Sequence, residues 1–486
     1  MSTDFLTLAK HSFVYFLANI IPAIISFITL ILYTRLLDPV SYGVYCLIYS
    51  AAILGLSVVF GSLGLSTARF WPGIEAEDDR VRFLSTCYYY VLLLLLVVSL
   101  LAVIVLMFVY FKFANAVIFW GVAIFITQSI VQINLDYLRA EFKPHYYSTM
   151  NCMRACLALL FGVGLFIFGY GLSGILAGIV IANLVTLLLF SKPNNRWSHK
   201  RISAIDFTVL KKILLYSAPL TVNFAINYII GNSDRWLIVW LLSIKQAGLY
   251  AAAYNLPLYC LSVIMGVINM AVFPFVVKIY EKHGAVAARE QLSKQFVLFF
   301  SLILPACAGF LLLNHNIINL ALGAQFRDTA MLLVPWVVVA TFLSGIKTFY
   351  FDVSFHISKR TLSLLWISII IAISNVGLNL WLIPQLGILG SAVASTIAFA
   401  IGLVLSIVWG RRYFRIPFPH KLLWRILVPL LVMILVLELI RNWHGNFILF
   451  IQIALGILAY GIAFAGVNWK ISYELFNRAI LNKVIK

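Results

Sequence analysis

The chain has 486 residues, of which 63% are hydrophobic and only 10% charged, and its mean hydropathy is +1.03. So little charge cannot solvate the surface of a water-soluble core this large, so lipid must cover most of it. The formal charge of +19 does not imply a nucleic-acid partner, because a polytopic membrane protein gathers Lys and Arg in short cytoplasmic loops.

Several apolar runs reach roughly 20 residues, the length at which a helix spans a hydrocarbon core ~30 Å thick. Alternating strand patterns are absent, and unbroken apolar segments leave helices to satisfy the backbone in lipid. Met1–Lys10 carries Asp4 and Lys10 with no small-residue cleavage pattern after it, so the first run is expected to remain a spanning helix. In chain order the runs fall at 12–34, 44–66, 84–110, 114–137, 148–168 and 172–190. After a basic stretch they continue at 214–242, 247–277, 295–313, 329–350, 362–383 and 387–409. The last two are 422–440 and 446–467. Hydropathy thus predicts about fourteen helices. Two breaks, Gly169–Ser173 and Leu386–Gly390, are only a few residues long, and their glycines predict tight hairpins. The cysteines Cys46, Cys87, Cys152, Cys156, Cys260 and Cys307 lie in or near apolar runs. Cys152 and Cys156 are one helical turn apart, but no His or second Cys pair completes a metal site. Buried, inert thiols and no cofactor are expected.

Orientation follows from the basic residues. The breaks after every second run, together with the C-terminal end, hold most of the 35 Lys and Arg residues. The opposite side holds Arg35, Lys112, Arg235, Lys245, Arg327 and Arg441, and Lys347 is left inside a helix. Such asymmetry predicts an even number of spans with both termini in the cytoplasm.

The chain repeats itself. Arg35–Ser50 reads RLLDPVSYGVYCLIYS, and Leu241–Asn255 (LLSIKQAGLYAAAYN) aligns without a gap from Leu36 onward. Leu36/Leu241, Leu37/Leu242, Gly43/Gly248, Tyr45/Tyr250 and Tyr49/Tyr254 are identical. A Gly at the same place in both predicts a tight turn into a helix where a β-carbon would clash. Leu165–Ile181 likewise aligns with Trp381–Ile397, sharing Ile167/Ile383, Gly171/Gly387, Gly174/Gly390 and Ile181/Ile397. Six helices are therefore expected twice in the same orientation, a parallel repeat about an axis normal to the membrane. The expected divisions are a six-helix lobe at 1–190, a basic cytoplasmic linker at 191–212, and a second six-helix lobe at 213–410. Two further helices and a tail fill 411–486.

The RLLDPVSYGVYCLIYS stretch is similar to the RLLGPxxYGxYsL pattern that closes the first helix of polysaccharide and O-antigen flippases. Asn232-Ser233-Asp234-Arg235, followed by an apolar run and AGLYAAAY, resembles the start of the second half in that family, and Tyr137-Leu138-Arg139-Ala140 also fits. Asp38 stands where a Gly is usual. The chain thus resembles Wzx-type flippases of the multidrug/oligosaccharidyl-lipid/polysaccharide (MOP) exporter superfamily. The resemblance implies an all-α polytopic, MATE-like fold of two six-helix lobes forming a V around a cavity that opens alternately to each side. It implies an undecaprenyl-pyrophosphate-linked oligosaccharide as substrate, moved from the cytoplasmic to the periplasmic leaflet of a bacterial inner membrane. H+ or Na+ coupling, and contact with polysaccharide polymerase and chain-length machinery, come with that expectation.

Bond-making chemistry has no visible basis: no embedded nucleophile constellation or phosphate-binding glycine loop appears. Flipping requires instead a polar, preferably cationic cavity, and a charge at the bilayer centre costs roughly 2.5–3.5 kcal/mol on insertion scales, so embedded charges face partners or water. The substrate-binding candidates are Arg235, Lys347, Arg35, Arg69, Arg154 and Arg139; the ion-coupling candidates are Asp234, Asp352, Asp136 and Glu438. Each has a structural alternative. Asp234 and Arg235 point about 100° apart on a helix and cannot simply pair with each other. Lys347 can snorkel, Arg35 can pair with Asp38, and Asp136 with Arg139 makes an i,i+3 ion pair. Arg69 and Arg154 serve equally as positive-inside anchors, and Glu438 as an interfacial acid. Trp and Tyr belts at the interfaces account for most of the 15% aromatic content. Competing functions are a MATE-like drug/cation antiporter, a membrane polysaccharide polymerase or glycosyltransferase, and a structural scaffold. The extra helix pair and basic embedded residues disfavour the first. Short external loops disfavour the second, and embedded Lys347 and Asp234 the third.

Overall fold

A computed structural model describes residues 2–108, 114–190, 206–443, 445 and 447–469. Most of the expected basic linker, the end of the tail and Lys112 lie outside the described residues. Among the described residues every regular element is helical, and ten segments are long and apolar enough to cross a membrane, or eleven if the pair Phe207–Ser217 and Thr221–Leu241, bent by 44°, forms one span. The protein is an all-α, multi-pass integral membrane protein. Two of the ten segments, Pro144–Phe190 and Ile244–Leu312, run to 47 and 69 residues, well beyond the ~20 that one crossing needs.

The chain forms two compact units, Met1–Ala251 and Ala252–Lys486. The first contains α1 (Ser2–Leu36), α2 (Pro39–Phe70), α3 (Glu77–Phe108), α4 (Ala114–Ala140), α5 (Pro144–Leu165), α6 (Gly171–Phe190) and α7 (Phe207–Leu241). Helix α2 packs on both α4 and α7, α5 on α1 and α6, and α6 on α4. Its main core joins Val44, Ile48, Trp71, Phe83, Ile124 and Phe125, all nearly sealed from the surface. Leu92, Leu93, Leu96 and Leu100 are exposed along α3, as a lipid-facing stripe requires. Polar side chains inside the bundle bridge helices: Asn183 Nδ2 donates to Thr127 Oγ1 at 3.1 Å, and Asn151 Nδ2 to the Ala18 carbonyl at 3.0 Å.

The second unit contains most of α8 (Ile244–Leu312), then α9 (Asn314–Ala321), α10 (Ala324–Ile346), α11 (Val353–Ile357), α12 (Thr361–Leu386), α13 (Ile388–Tyr413), α14 (His420–Ile440) and α15 (Ile448–Val467). Helix α8 is broken at Gly284 (φ 78°, ψ −173°). Before the break, Phe273 meets His356 edge to face at 5.6 Å, and a β-carbon at Gly345 would strike Met265. After it, Phe300 meets Phe342 and Phe296 meets Tyr350. The first arm thus runs parallel to α10 and the second antiparallel, so the chain reverses at Gly284. Helices α14 and α15 pack together over Met433, Leu437, Ile440 and Leu449. Buried Gln452 ties them, donating to the Ile440 carbonyl at 2.6 Å.

Both repeated stretches have matching conformations. In the elbows, Leu37 N donates to the Tyr33 carbonyl and Leu242 N to the Ile238 carbonyl, both at 2.9 Å. Asp38 then caps α2, accepting from Val40 N at 3.0 Å and Ser41 N at 3.3 Å. At the equivalent place Ser243 accepts from Gln246 N at 3.2 Å. Asp38 therefore supplies an N-cap, which accounts for its replacing a Gly in the family pattern. The repeated glycines are not turn residues. Gly43 and Gly248 lie inside α2 and α8, where a β-carbon on Gly43 would strike the Ile244 carbonyl oxygen and one on Gly248 the Pro39 carbonyl oxygen. The alignment makes Pro39 and Ile244 equivalent, so each glycine admits the backbone of the other copy. The reason for glycine is a helix crossing, not a turn.

The hairpin glycines do use their freedom. Gly171 (φ 54°, ψ −140°) and Gly387 (φ 61°, ψ −145°) occupy the same backbone region, one that side chains with a β-carbon seldom enter. Behind them, a β-carbon on Gly174 would press on Leu165 and one on Gly390 on the Leu382 carbonyl. Each hairpin closes with its two helices in backbone contact.

Candidate functional site

In the first unit, charge and hydroxyls collect on α7. Asp234 is 2% exposed and accepts from Tyr250 Oη at 2.7 Å. Arg235, one residue on, turns away as helical geometry demands. Its Nη1 donates to Asn232 Oδ1 at 3.1 Å, and the guanidinium lies close enough to Cys46 and Tyr228 to act on both electrostatically. Tyr228 Oη in turn donates to the Ser50 carbonyl on α2. Upstream, Asp206 caps α7 through Thr208 N at 2.8 Å and Val209 N at 3.2 Å. Those backbone donors hold its carboxyl below the usual carboxylate range. The Asp38 carboxyl is likewise held low, chiefly by its hydrogen bond with Ser41.

Near the end of α4, Asp136 accepts from Gln132 Nε2 at 3.1 Å and lies 3.9 Å from Arg139 Nη1. Gly64 on α2 gives the carboxylate its room, since a β-carbon there would collide with it. Arg139 also donates to Tyr147 Oη at 2.7 Å, its guanidinium 5.0 Å from that ring. On α5, Arg154 Nη2 donates to Asn151 Oδ1 at 3.2 Å, while its Nε is buried without a partner among the described residues. Arg35 and Arg69 are exposed in the last turns of α1 and α2.

In the second unit, Lys347 and Asp352 form a buried ion pair. Lys347 Nζ lies 2.6 Å from Asp352 Oδ2, and the side chains are only 9% and 8% exposed. Ser406 Oγ on α13 donates to the other carboxylate oxygen at 2.7 Å. The pair spans a π-helical turn, Lys347–Phe351, closed by Asp352 N to the Lys347 carbonyl at 2.8 Å. In a regular α-helix residues five apart diverge by about 140°, and the wider π turn brings them onto one face. Gly402 on α13 lies beside the lysine stem, and a β-carbon there would strike the Ile371 side chain. His356, one turn on, is exposed and within the electrostatic reach of both charges. Glu438 sits at the end of α14, about half exposed, accepting from Arg441 Nη1 at 3.0 Å.

The structure therefore brings Lys347 together with Asp352, and Asp136 with Arg139. Arg235 and Asp234 belong to different contacts. Ser406, Tyr250, Gln132 and Tyr147 are partners that sequence reasoning missed. Tyr250 could have been found from the repeat. Its counterpart Tyr45 packs edge to face on Tyr33 at 5.2 Å, and the position equivalent to Asp234 is Thr29, whose hydroxyl returns to its own helix at Ile25. The acid is thus peculiar to the second copy. Ser406 has no counterpart signal, being one small residue in an apolar run. Among the described residues no group of three or more His, Cys, Asp or Glu could hold a metal ion.

Residues 32–331 match the family described as polysaccharide biosynthesis protein. The chain belongs to that family. It is 24% identical over 480 residues to a protein of Haloferax volcanii named "Probable low-salt glycan biosynthesis flippase Agl15", covering 93% of this chain and 94% of that one. Among solved structures, the lipid II flippase MurJ in an inward closed conformation matches with a TM-score of 0.73 at 17% identity, over 96% of this chain and 98% of that one. An inward-facing multidrug resistance MATE transporter of the MOP superfamily matches with a TM-score of 0.62 at 13% identity, over 82% and 93% of the two chains. The fold is shared with these solved transporters along most of the chain.

Proposed function

We propose that the protein is a flippase of the Wzx type, carrying a polyprenyl-pyrophosphate-linked oligosaccharide from the cytoplasmic to the outer leaflet by alternating access. The match to a family of polysaccharide biosynthesis proteins, with a relative named a glycan flippase aligned along nearly the whole chain, carries this reading. In it the chain has fourteen spans, as two six-helix lobes at 1–190 and 213–410 joined by the basic segment 191–212. Residues 411–486 add two helices and a tail, and both termini are cytoplasmic. A bacterial inner membrane, with O-antigen or a related repeat unit as cargo, is its narrower form.

The residues divide into two roles. Arg154 supports phosphate binding best, because a buried guanidinium N–H with no partner is a donor that a ligand oxygen would satisfy. Arg235, Arg35, Arg69 and Arg139 complete the basic path. Asp352 suits ion coupling, because its carboxylate is shared between an ammonium and a hydroxyl on another helix. Asp234, held by Tyr250, offers a second acid, with Asp136 and Glu438 nearer the helix ends.

Deleting the gene is expected to abolish surface polysaccharide while its lipid-linked unit accumulates intact in the cytoplasmic leaflet. If the unit itself fails to form, the protein acts in synthesis and the flippase reading is wrong. Arg235→Ala is expected to impair export at normal protein level, as is Lys347→Met combined with Asp352→Leu, which removes both buried charges, and unchanged polysaccharide in both would remove these residues from the path.

A further inference from the structure

A cavity of about 360 Å³ lies inside the second unit, walled by Phe300, Phe342, Phe351 and Phe414, with Ser406 and Arg411 at its polar edge. Its size falls in the range of small-molecule sites. Ser406 Oγ is committed to Asp352, and the neighbouring Ser354 Oγ donates to the Phe351 carbonyl at 2.9 Å. With its hydroxyls turned into the protein, the chamber offers water few partners, and its aromatic walls call for an apolar chain.

The rim has the opposite character. Arg411 is exposed in the last turn of α13 beside Arg412, and Arg415 follows two residues after the helix. Among the described residues none of the three makes an ion pair. Arg289 adds a fourth guanidinium, 5.3 Å from the Phe414 ring. The floor is fixed, because Tyr350 Oη donates to the Pro417 carbonyl and pins the segment after α13 to the π turn. An apolar chamber with unneutralised cations at its mouth complements an amphiphile with one chain and an anionic head.

We propose that this cavity holds one acyl chain of an anionic membrane phospholipid, with the headgroup phosphate on Arg411. The bound chain lies against Ser406, and so within one hydrogen bond of the Lys347–Asp352 pair. Lipid composition thereby acts on the pair directly, whatever solute the protein carries.

The test uses the purified full-length protein and three probes below their micellar concentrations: lysophosphatidylglycerol, lysophosphatidylcholine and glycerol 3-phosphate. Lysophosphatidylglycerol should raise the melting temperature by several degrees, lysophosphatidylcholine by less, and glycerol 3-phosphate not at all. Arg411→Gln should reduce the first shift to the size of the second. Ile407→Trp, which fills the cavity, should abolish both, and Leu403→Phe serves the same purpose if that variant does not fold. A wild-type shift retained in the cavity-filling variant overturns the proposal, as does glycerol 3-phosphate acting as strongly as lysophosphatidylglycerol. Displacement of lysophosphatidylglycerol by lower concentrations of a polyprenyl phosphate than of phosphatidylglycerol would reassign the cavity to the carrier lipid.

Discussion

Two charged pairs near the ends of apolar helices differ in how the backbone presents them. Asp136 and Arg139 sit three apart on a regular helix, 3.9 Å from each other, with Arg139 half exposed and divided between Asp136 and Tyr147. Lys347 and Asp352 sit five apart across a π turn, 2.6 Å from each other and sealed inside the unit. The first pair is local geometry, open on the arginine's side. The second exists because one extra residue in the turn realigns two side chains and a serine on another helix completes the carboxylate. An embedded charge is thus explained by its backbone register as much as by its partner.

The largest expected effect tests that difference. Lys347→Met strands a buried carboxylate and is expected to cost about 3–5 kcal/mol, whereas Arg139→Met leaves the Asp136 carboxylate its Gln132 donor and an open side and should cost less. Thermal unfolding in detergent measures both, and equal costs would mean the π-turn pair is no more buried in its effect than the half-open one. Adding Asp352→Leu to Lys347→Met should recover most of the loss, since removing both charges relieves the desolvation that stranded one.

Glycine substitutions come next. Gly43→Ala and Gly248→Ala each force a methyl into the other copy's backbone, and overpacking of this kind costs about 1–3 kcal/mol. The double variant should lose less than the sum, because the first alanine already moves the helices apart. Full additivity would show that the two sites do not share one crossing. Gly171→Ala and Gly387→Ala should each cost about 1–3 kcal/mol through backbone strain alone, and here the losses should add.

The smallest effect concerns the cap of α2. Asp38→Ala should cost about 1 kcal/mol, and Asp38→Asn much less, because asparagine caps equally well. The pH dependence separates the two functions of the side chain. A carboxyl held below its ordinary range contributes stability that is present above its unfolded pKa and is lost as pH falls through the folded value. The wild type should therefore lose ground against Asp38→Asn on acidification below about pH 4. Parallel melting curves for the two across that range would show that the charge adds nothing to the cap.

Much of the fold was legible because the membrane imposes few solutions. Run length and composition announced helices, and glycines at short breaks announced the hairpins at Gly171 and Gly387. The repeat gave the elbows, but not why Gly43 and Gly248 are glycine, because a crossing between distant helices leaves no local trace. Lys347 stood out as a cation with no loop to belong to. Its pairing with Asp352 could not be read off, because α-helical spacing places residues five apart on different faces and nothing in KTFYFD announces a π turn. Ser406, some fifty residues away, was invisible for the same reason as the crossing.

The crossing of Gly43 and Gly248 has a further meaning. A patch that packs on its own equivalent, each residue meeting its counterpart's neighbours, is the geometry of a two-fold homodimer interface. Here it occurs within one continuous chain. Neither glycine can drift alone, because what confines each is the backbone of the other copy. The two copies in this one chain thus share the packing constraint of a symmetric dimer at this point, even where their polar residues differ, as Asp234 does from Thr29.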